Sequence, residues 1–162
     1  MNSQNDWETQ PRKKNGEFTF RQKCNIWKEI VEDIEKLSDK DKINHSARGG
    51  SYGELRKETA GRKNIEVHHM PSNSASMLSR RKGPCIVLTQ EEHYKTASHS
   101  RVKGSGPYRL EQKKLIQRGH FLDAEIMDII DILFLTREKY VKALSQKLDY
   151  DLKLYEKGEI DG

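Results

Sequence analysis

From Phe121 to Leu135 the chain reads FLDAEIMDIIDILFL, with Ile and Leu almost all the way round a helical wheel. Such a helix has to be covered on most sides, so the stretch predicts the buried central helix of the fold. Its longest apolar run, Ile126 to Leu135, is broken by Asp128 and Asp131 and falls far short of the ~20 residues that cross a bilayer. Material to cover the helix is scarce. Leu, Ile, Val and Phe make up 21% of the 162 residues, while charged residues make up 34%, against about 25% charged in an average soluble domain. The core must therefore be small.

Two amphipathic stretches can supply the cover. Ile26, Trp27, Ile30, Val31, Ile34 and Leu37 recur on one face and predict a helix over 20–37. Tyr140, Val141, Leu144, Leu148, Leu152 and Tyr155 follow the same spacing and predict a final helix. Between them, Pro107 is placed to open a helix and Gly119 to close it, giving C-terminal helices over 107–157. Residues 1–16 are polar, carry Pro11 and Gly16, and read as an arm or linker ahead of one domain over 17–162. They lack the apolar centre of a secretory signal. Cys24 and Cys85 stand far apart with no C-x-x-C spacing, which predicts two buried thiols rather than a disulfide or a cysteine zinc cluster. Ser38 to Gly53 reads as a loop. Its glycines Gly49, Gly50 and Gly53 permit either a close approach to a ligand or a simple turn.

The formal charge of +5 conceals a strong asymmetry. Residues 1–39 carry a net −1, residues 40–120 a net +10, and residues 121–162 a net −4. All six histidines lie in the basic middle. That distribution suits a polyanionic partner, although a solvated lysine-rich surface looks the same.

Within the basic segment, Ile65-Glu66-Val67-His68-His69 reads as a short strand stopped by Pro71. After the polar loop Ser72 to Lys82 and Gly83-Pro84, Cys85-Ile86-Val87-Leu88 reads as a second strand. Thr89-Gln90-Glu91-Glu92 has the T-x-x-E form of a capping box, so a helix starts with Thr89 as N-cap and carries His93 in its first or second turn. The expected fold is thus α+β, mostly helical, with a small ββα unit of two strands and a helix over about 64–99. At a strand end His68 and His69 can straddle one point: one imidazole can hold a metal while the other activates a water. His93 can add a second ligand from the helix. Glu66 shares the strand face of His68, as an extra ligand or as a solvent-facing carboxylate. His99, six residues after His93, points away unless the helix ends first. His45 and His120 read as surface residues.

Four segments together resemble the HNH/endonuclease VII superfamily of His-Me finger, ββα-metal nucleases. They are Gly49-Gly50-Ser51-Tyr52-Gly53-Glu54-Leu55-Arg56, Val67-His68-His69-Met70-Pro71, Leu78 to Pro84, and His93-Tyr94-Lys95-Thr96-Ala97-Ser98. More narrowly, they resemble nuclease toxin domains at the C-termini of bacterial polymorphic toxins. The resemblance covers Gly49 to Leu135. It implies that His68 and His93 bind one divalent metal ion (Zn, Mn, Ni or Mg) and that His69 is the general base. Asn73 is a loose counterpart of the family's middle asparagine; it could orient His69, hold the loop, or do neither. The second helix histidine of many members is missing, since Ala97 stands four residues after His93.

Phosphate contacts are expected from Arg48, Arg56, Arg80, Arg81, Lys82, Lys95, Arg101 and Lys103, which surround the ββα unit in sequence and can grip backbones without reading bases. Arg80-Arg81-Lys82 also fits a solvated loop. These features lead to the expectation of a metal-dependent, non-specific endonuclease, with DNA as substrate ahead of RNA. The resemblance adds a setting: a larger delivered toxin acting in the target-cell cytoplasm, with a cognate immunity protein. The rival readings are a metal-independent ribonuclease using two histidines, and a nucleic-acid-binding module without catalysis.

Overall fold

The computed structural model describes residues 18–162; the predicted arm, residues 1–16, lies outside them. Helix α1 spans Phe20–Leu37. It begins at a capping box in which Gln22 N donates to Thr19 Oγ1 (3.2 Å) and Thr19 N donates to Gln22 Oε1 (2.8 Å), so two otherwise orphaned amides are satisfied. The last helix, α6, runs over Val141–Glu156 and lies against α1. Phe20 stacks on Tyr155 with ring centroids 4.5 Å apart, and the Cys24 thiol donates to Leu148 O. Both cysteines are buried and free.

The sheet has three antiparallel strands in the order β1-β3-β2: β1 Gly49–Ser51, β2 Ile65–His69 and β3 Pro84–Thr89. Two strands were expected, and the third forms from the glycines read as loop. With no side chains, Gly49 and Gly50 leave no apolar alternation to read. Glycine is nevertheless required there, because a Cβ at Gly49 would be driven into the Ala143 carbonyl of α6. Only glycine lets β1 lie flush on that helix. Ser51 then caps α2, Tyr52–Glu58, accepting from Glu54 N at 3.2 Å. This short helix lies in a stretch for which no element was predicted.

Thr89 caps α3 as expected, with both bonds of the capping box present, but α3 is a single turn, Gln90–His93. Helix α4 covers Ser105–Gln117, starting two residues before Pro107, which sits in the first turn where its missing N–H costs nothing. Gly119, at φ +81°, closes the helix: Gly119 N bonds Ile116 O (3.0 Å) and His120 N bonds Leu115 O (2.9 Å), a Schellman pair. Helix α5, Phe121–Thr136, buries Phe121, Leu122, Ala124, Ile129 and Ile132 in the shared core. It is not covered all round, since Ile130 is 53% and Phe134 86% exposed. Among the described residues no helix is long and apolar enough to cross a membrane.

Charges as well as apolar groups fill the centre. Lys147 of α6 is fully buried, with Nζ 2.7 Å from Asp151 Oδ2 and 3.1 Å from Glu125 Oε2 on α5. Burial disfavours the ammonium, but its acidic neighbours, Asp151 first and then Glu125, outweigh it and hold Lys147 charged. Burial, reinforced by Asp151, pushes the Glu125 carboxyl well up. Nearby, Asp128 accepts from Tyr108 Oη (2.8 Å) and Gln112 Nε2 (2.7 Å). Burial outweighs these two donors and pushes Asp128 up to about 7.

Two tests follow from this packing. Gly49→Ala is expected to cost about 3 kcal/mol or more in urea unfolding, through overpacking against α6. Gly106→Ala, with nothing within 4 Å of the added Cβ, stays within about 0.5 kcal/mol of the unchanged chain. The second test concerns pH. Folded Asp128 keeps its proton to about 7, whereas the unfolded group loses it near 3.8. Its contribution to stability is therefore fully present below about pH 4 and is lost as pH rises through about 7. In Asp128→Asn the amide oxygen accepts from one donor but the NH2 faces the other, so the variant is less stable at low pH, and its deficit shrinks toward about pH 7.5 because the titration is gone.

Candidate functional site

The end of β2 defines the site. Val67 pairs with Val87, His68 with Ile86 and His69 with Cys85 on β3, so the register of the central strand places both histidines. His68 turns inward and is 2% exposed. His69 points to the other face, toward α2. A cavity of about 290 Å³ opens there, lined among others by Tyr52, Arg56, Glu66, His68, His69, Asn73, Arg80, His93 and His99.

His69 is clamped on three sides. Its ring stacks on Tyr52 (centroids 4.6 Å apart, planes 21° apart), and its Nε2 is 3.0 Å from Arg80 O. A carbonyl only accepts, so Nε2 carries the proton and Nδ1 keeps a free lone pair. Gly83 leaves room for the ring: a Cβ there would lie 2.5 Å from Cδ2 and 2.9 Å from Nε2 of His69. Burial lowers the His69 pKa, partly offset by the bond to Arg80 O, so the imidazole is neutral at pH 7.

His68 is held differently. Burial, and then the neighbouring His93, His69 and His99, keep it far below the usual histidine range. Its Nε2 is buried without any hydrogen-bond partner. An orphaned imidazole nitrogen in a polar cavity is costly, and it suits a metal ligand. The His93 ring lies edge-on to it at 5.1 Å between centroids. Glu66 Oε1 is 3.3 Å from His93 Nδ1; the ionised carboxylate can only accept, which leaves His93 Nε2 with a lone pair. Glu66 is thus a partner of His93 rather than a solvent-facing group. The donor set fits one divalent ion held by His68 and His93. Among the described residues no three His, Cys, Asp or Glu side chains are already gathered at ligand spacing, so water and substrate oxygens would complete the coordination.

His99 does not point away. Because α3 stops at His93, the turns that follow bring the His99 ring back to 5.0 Å from His93. The reversal is anchored from the helices, by Ala97 N to Asp131 Oδ2 (2.8 Å) and by Arg109 to Ser98 O (2.7 Å). Tyr52 is the other residue that the sequence reading left without a role, and nothing in its spacing marks it as a stacking partner. Asn73 lines the cavity, and its carbonyl accepts from Ser76 N (3.3 Å) within the 72–76 turn.

The expected phosphate ligands divide. Arg56 and Arg80 line the cavity, with guanidinium carbons 6.0 and 5.0 Å from the centre of the Tyr52 ring. Arg101 lies 4.0 Å over Tyr94, next to His99. Neither Arg101 nor the remaining five line the cavity. Arg48 pairs with Glu58, Lys82 with Glu159 and Lys95 with Glu91, while Arg81 lies against Gly53 and Lys103 is exposed. Outside the site, His45 Nε2 bonds Lys40 O and is exposed, as expected, whereas His120 Nδ1 is buried 3.7 Å from Asp123.

The chain matches no protein-family model, no curated protein and no solved structure.

The clamp can be tested directly. Gly83→Ala is expected to leave the fold intact at a cost of about 1–3 kcal/mol. It should expel the His69 ring from its stack, so that the ring protons lose the upfield shift imposed by Tyr52 in an NMR spectrum. An unchanged His69 shift would refute the clamp.

Proposed function

We propose that this protein is a metal-dependent endonuclease that hydrolyses phosphodiesters without sequence preference, acting on DNA ahead of RNA. One observation carries the reading. A neutral histidine with a fixed tautomer, His69, adjoins a buried histidine nitrogen, that of His68, which has no partner in the protein. The resemblance in the sequence to His-Me finger nucleases supports the same reading. It also suggests that the domain serves as the toxic effector of a bacterial polymorphic toxin, paired with an immunity protein and active in the target-cell cytoplasm.

The chain's own residues divide the work as follows. His68 Nε2 and His93 Nε2 hold the divalent ion, and Glu66 orients His93. When bound, such an ion stabilises negative charge on the phosphate and on the leaving oxygen. His69 takes a proton from the attacking water at Nδ1, while the bond to Arg80 O keeps the ring turned so that this nitrogen faces outward. Arg56 and Arg80 hold the phosphate beside it, and neither reads a base.

Plasmid cleavage with added Mg²⁺, Mn²⁺ or Zn²⁺ tests the reading. EDTA should abolish cleavage, and His69→Ala should lower kcat by roughly 10²–10⁴-fold without weakening metal binding. His68→Ala should lose the metal. Cleavage of RNA that survives EDTA would establish the metal-independent ribonuclease instead. Salt-sensitive binding without turnover, unaffected by His69→Ala, would establish a binding module. Induction of the intact chain, but not of His69→Ala, should halt growth of a bacterium lacking the immunity partner.

A further inference from the structure

We propose that His99 is a further catalytic residue of this cavity, donating a hydrogen bond from Nε2 to the phosphodiester, and that it is not a metal ligand. The proposal rests on the nuclease reading above and adds to it a residue with a distinct role.

The tautomer decides between the two roles. The backbone N–H of Arg101 donates to His99 Nδ1 at 3.1 Å. An amide N–H can only donate, so Nδ1 supplies the lone pair and the ring proton sits on Nε2. A metal needs a nitrogen lone pair, and the one on Nδ1 is already in use. To bind through Nε2 the ring would have to change tautomer and forfeit the Arg101 bond. His68 and His93 are the opposite case, since each is left with an unused nitrogen. Three rings spaced about equally, 5.1 and then 5.0 Å apart, thus fall into two kinds.

The surroundings fit a donor to an anion. His99 lines the same cavity as His68 and His69. Its neighbour Arg101 holds a guanidinium 4.0 Å over Tyr94, whose ring is 5.0 Å from His99, so a positive charge belongs to the same loop as the His99 ring. The loop is tied to α4 by Arg109 and to α5 by Asp131, and His99 O accepts from Val102 N at 2.9 Å. A donor held this way is positioned before substrate arrives, which is the condition for stabilising charge that grows in the transition state. No covalent bond to His99 forms, and its proton stays on Nε2.

His99→Ala and His99→Gln in the full chain separate the roles. With Mn²⁺ alone as the calorimetric probe, both variants should bind the ion within about twofold of wild type. On plasmid DNA, kcat of His99→Ala should fall roughly 10²-fold with little change in KM, and Gln, which keeps an N–H donor, should recover part of it. Long-range ¹⁵N spectra of the unchanged chain should show the His99 proton on Nε2, and inorganic phosphate should shift that signal. A tenfold loss of Mn²⁺ affinity in His99→Ala, a proton on Nδ1, or an unchanged kcat would overturn the proposal. If the wild-type chain cleaves neither DNA nor RNA with any of the cations, the nuclease reading falls. The phosphate titration then judges His99 separately: a shift at Nε2 upholds the anion contact, and its absence overturns it.

Discussion

The arrangement depends on Lys147. Removing an ammonium from water costs several kcal/mol, so it stays inside only where acidic side chains meet it. Asp151, one turn along α6, meets the ammonium within its own helix, and Glu125 ties it across to α5. The same turn of α6 receives the sheet. Gly49 lies against Ala143 O and Lys147 N, and Gly49 N donates to Gln146 Oε1 at 3.0 Å. From β1 the register passes to β3 and from β3 to β2, which ends at His68 and His69. The position of the two histidines is thus set, through two strand pairings, by a helix distant in sequence. The Lys147 charge is also among the influences that keep His68 neutral, after burial and the neighbouring histidines.

The helical half does more than pack. Gln112, fully buried, accepts from Ser72 N (3.3 Å) while its amide group donates to Asp128. It thereby ties the 72–76 turn, with Asn73, to α5. Asp131, one turn further along α5, takes Ala97 N and holds the loop of His99. The two aspartates that interrupt the apolar run of α5 are therefore the groups that locate the two loops around the cavity. They explain why a helix so rich in Ile and Leu tolerates charges, since each satisfies backbone or side-chain donors that would otherwise be buried alone.

What could be read from sequence was whatever depends on local rules. The α1 boundaries, the capping box at Thr89 and the stop at Gly119 rest on contacts within a few residues, while the two strands around His68 and the burial of both thiols follow from residue type and alternation. What escaped depends on distant partners. Strand β1 is legible only once α6 is seen beside Gly49. The return of His99 requires α3 to end after one turn, and that end is held by Asp131 and Arg109 from other helices. Lys147 sits on the inner face of an amphipathic helix where an apolar residue is expected, and only Glu125 and Asp151 make its charge tolerable. Ile130 and Phe134 lie within the helix predicted to be buried yet are exposed, because composition alone does not say which side of α5 lacks a neighbour.

The charge asymmetry changes meaning in the same way. A net +10 over residues 40–120 suggests a broad basic face, yet Arg48, Lys82 and Lys95 already have carboxylate partners away from the cavity. Surface pairs of this kind are weak and salt-sensitive, so they leave a diffuse attraction for polyanions but no defined grip. On the nuclease reading a defined grip falls to Arg56 and Arg80, which line the cavity around Tyr52, with Arg101 over Tyr94 outside its lining. A guanidinium resting on an aromatic face loses less freedom when it meets a phosphate, and its planar fork matches the phosphate oxygens. Arg80 joins the two tasks in one residue, since its carbonyl fixes the tautomer of His69 while its guanidinium donates to Tyr52 Oη at 3.1 Å. On the nuclease reading, a phosphate drawn to Arg80 is thereby brought to the side of the general base.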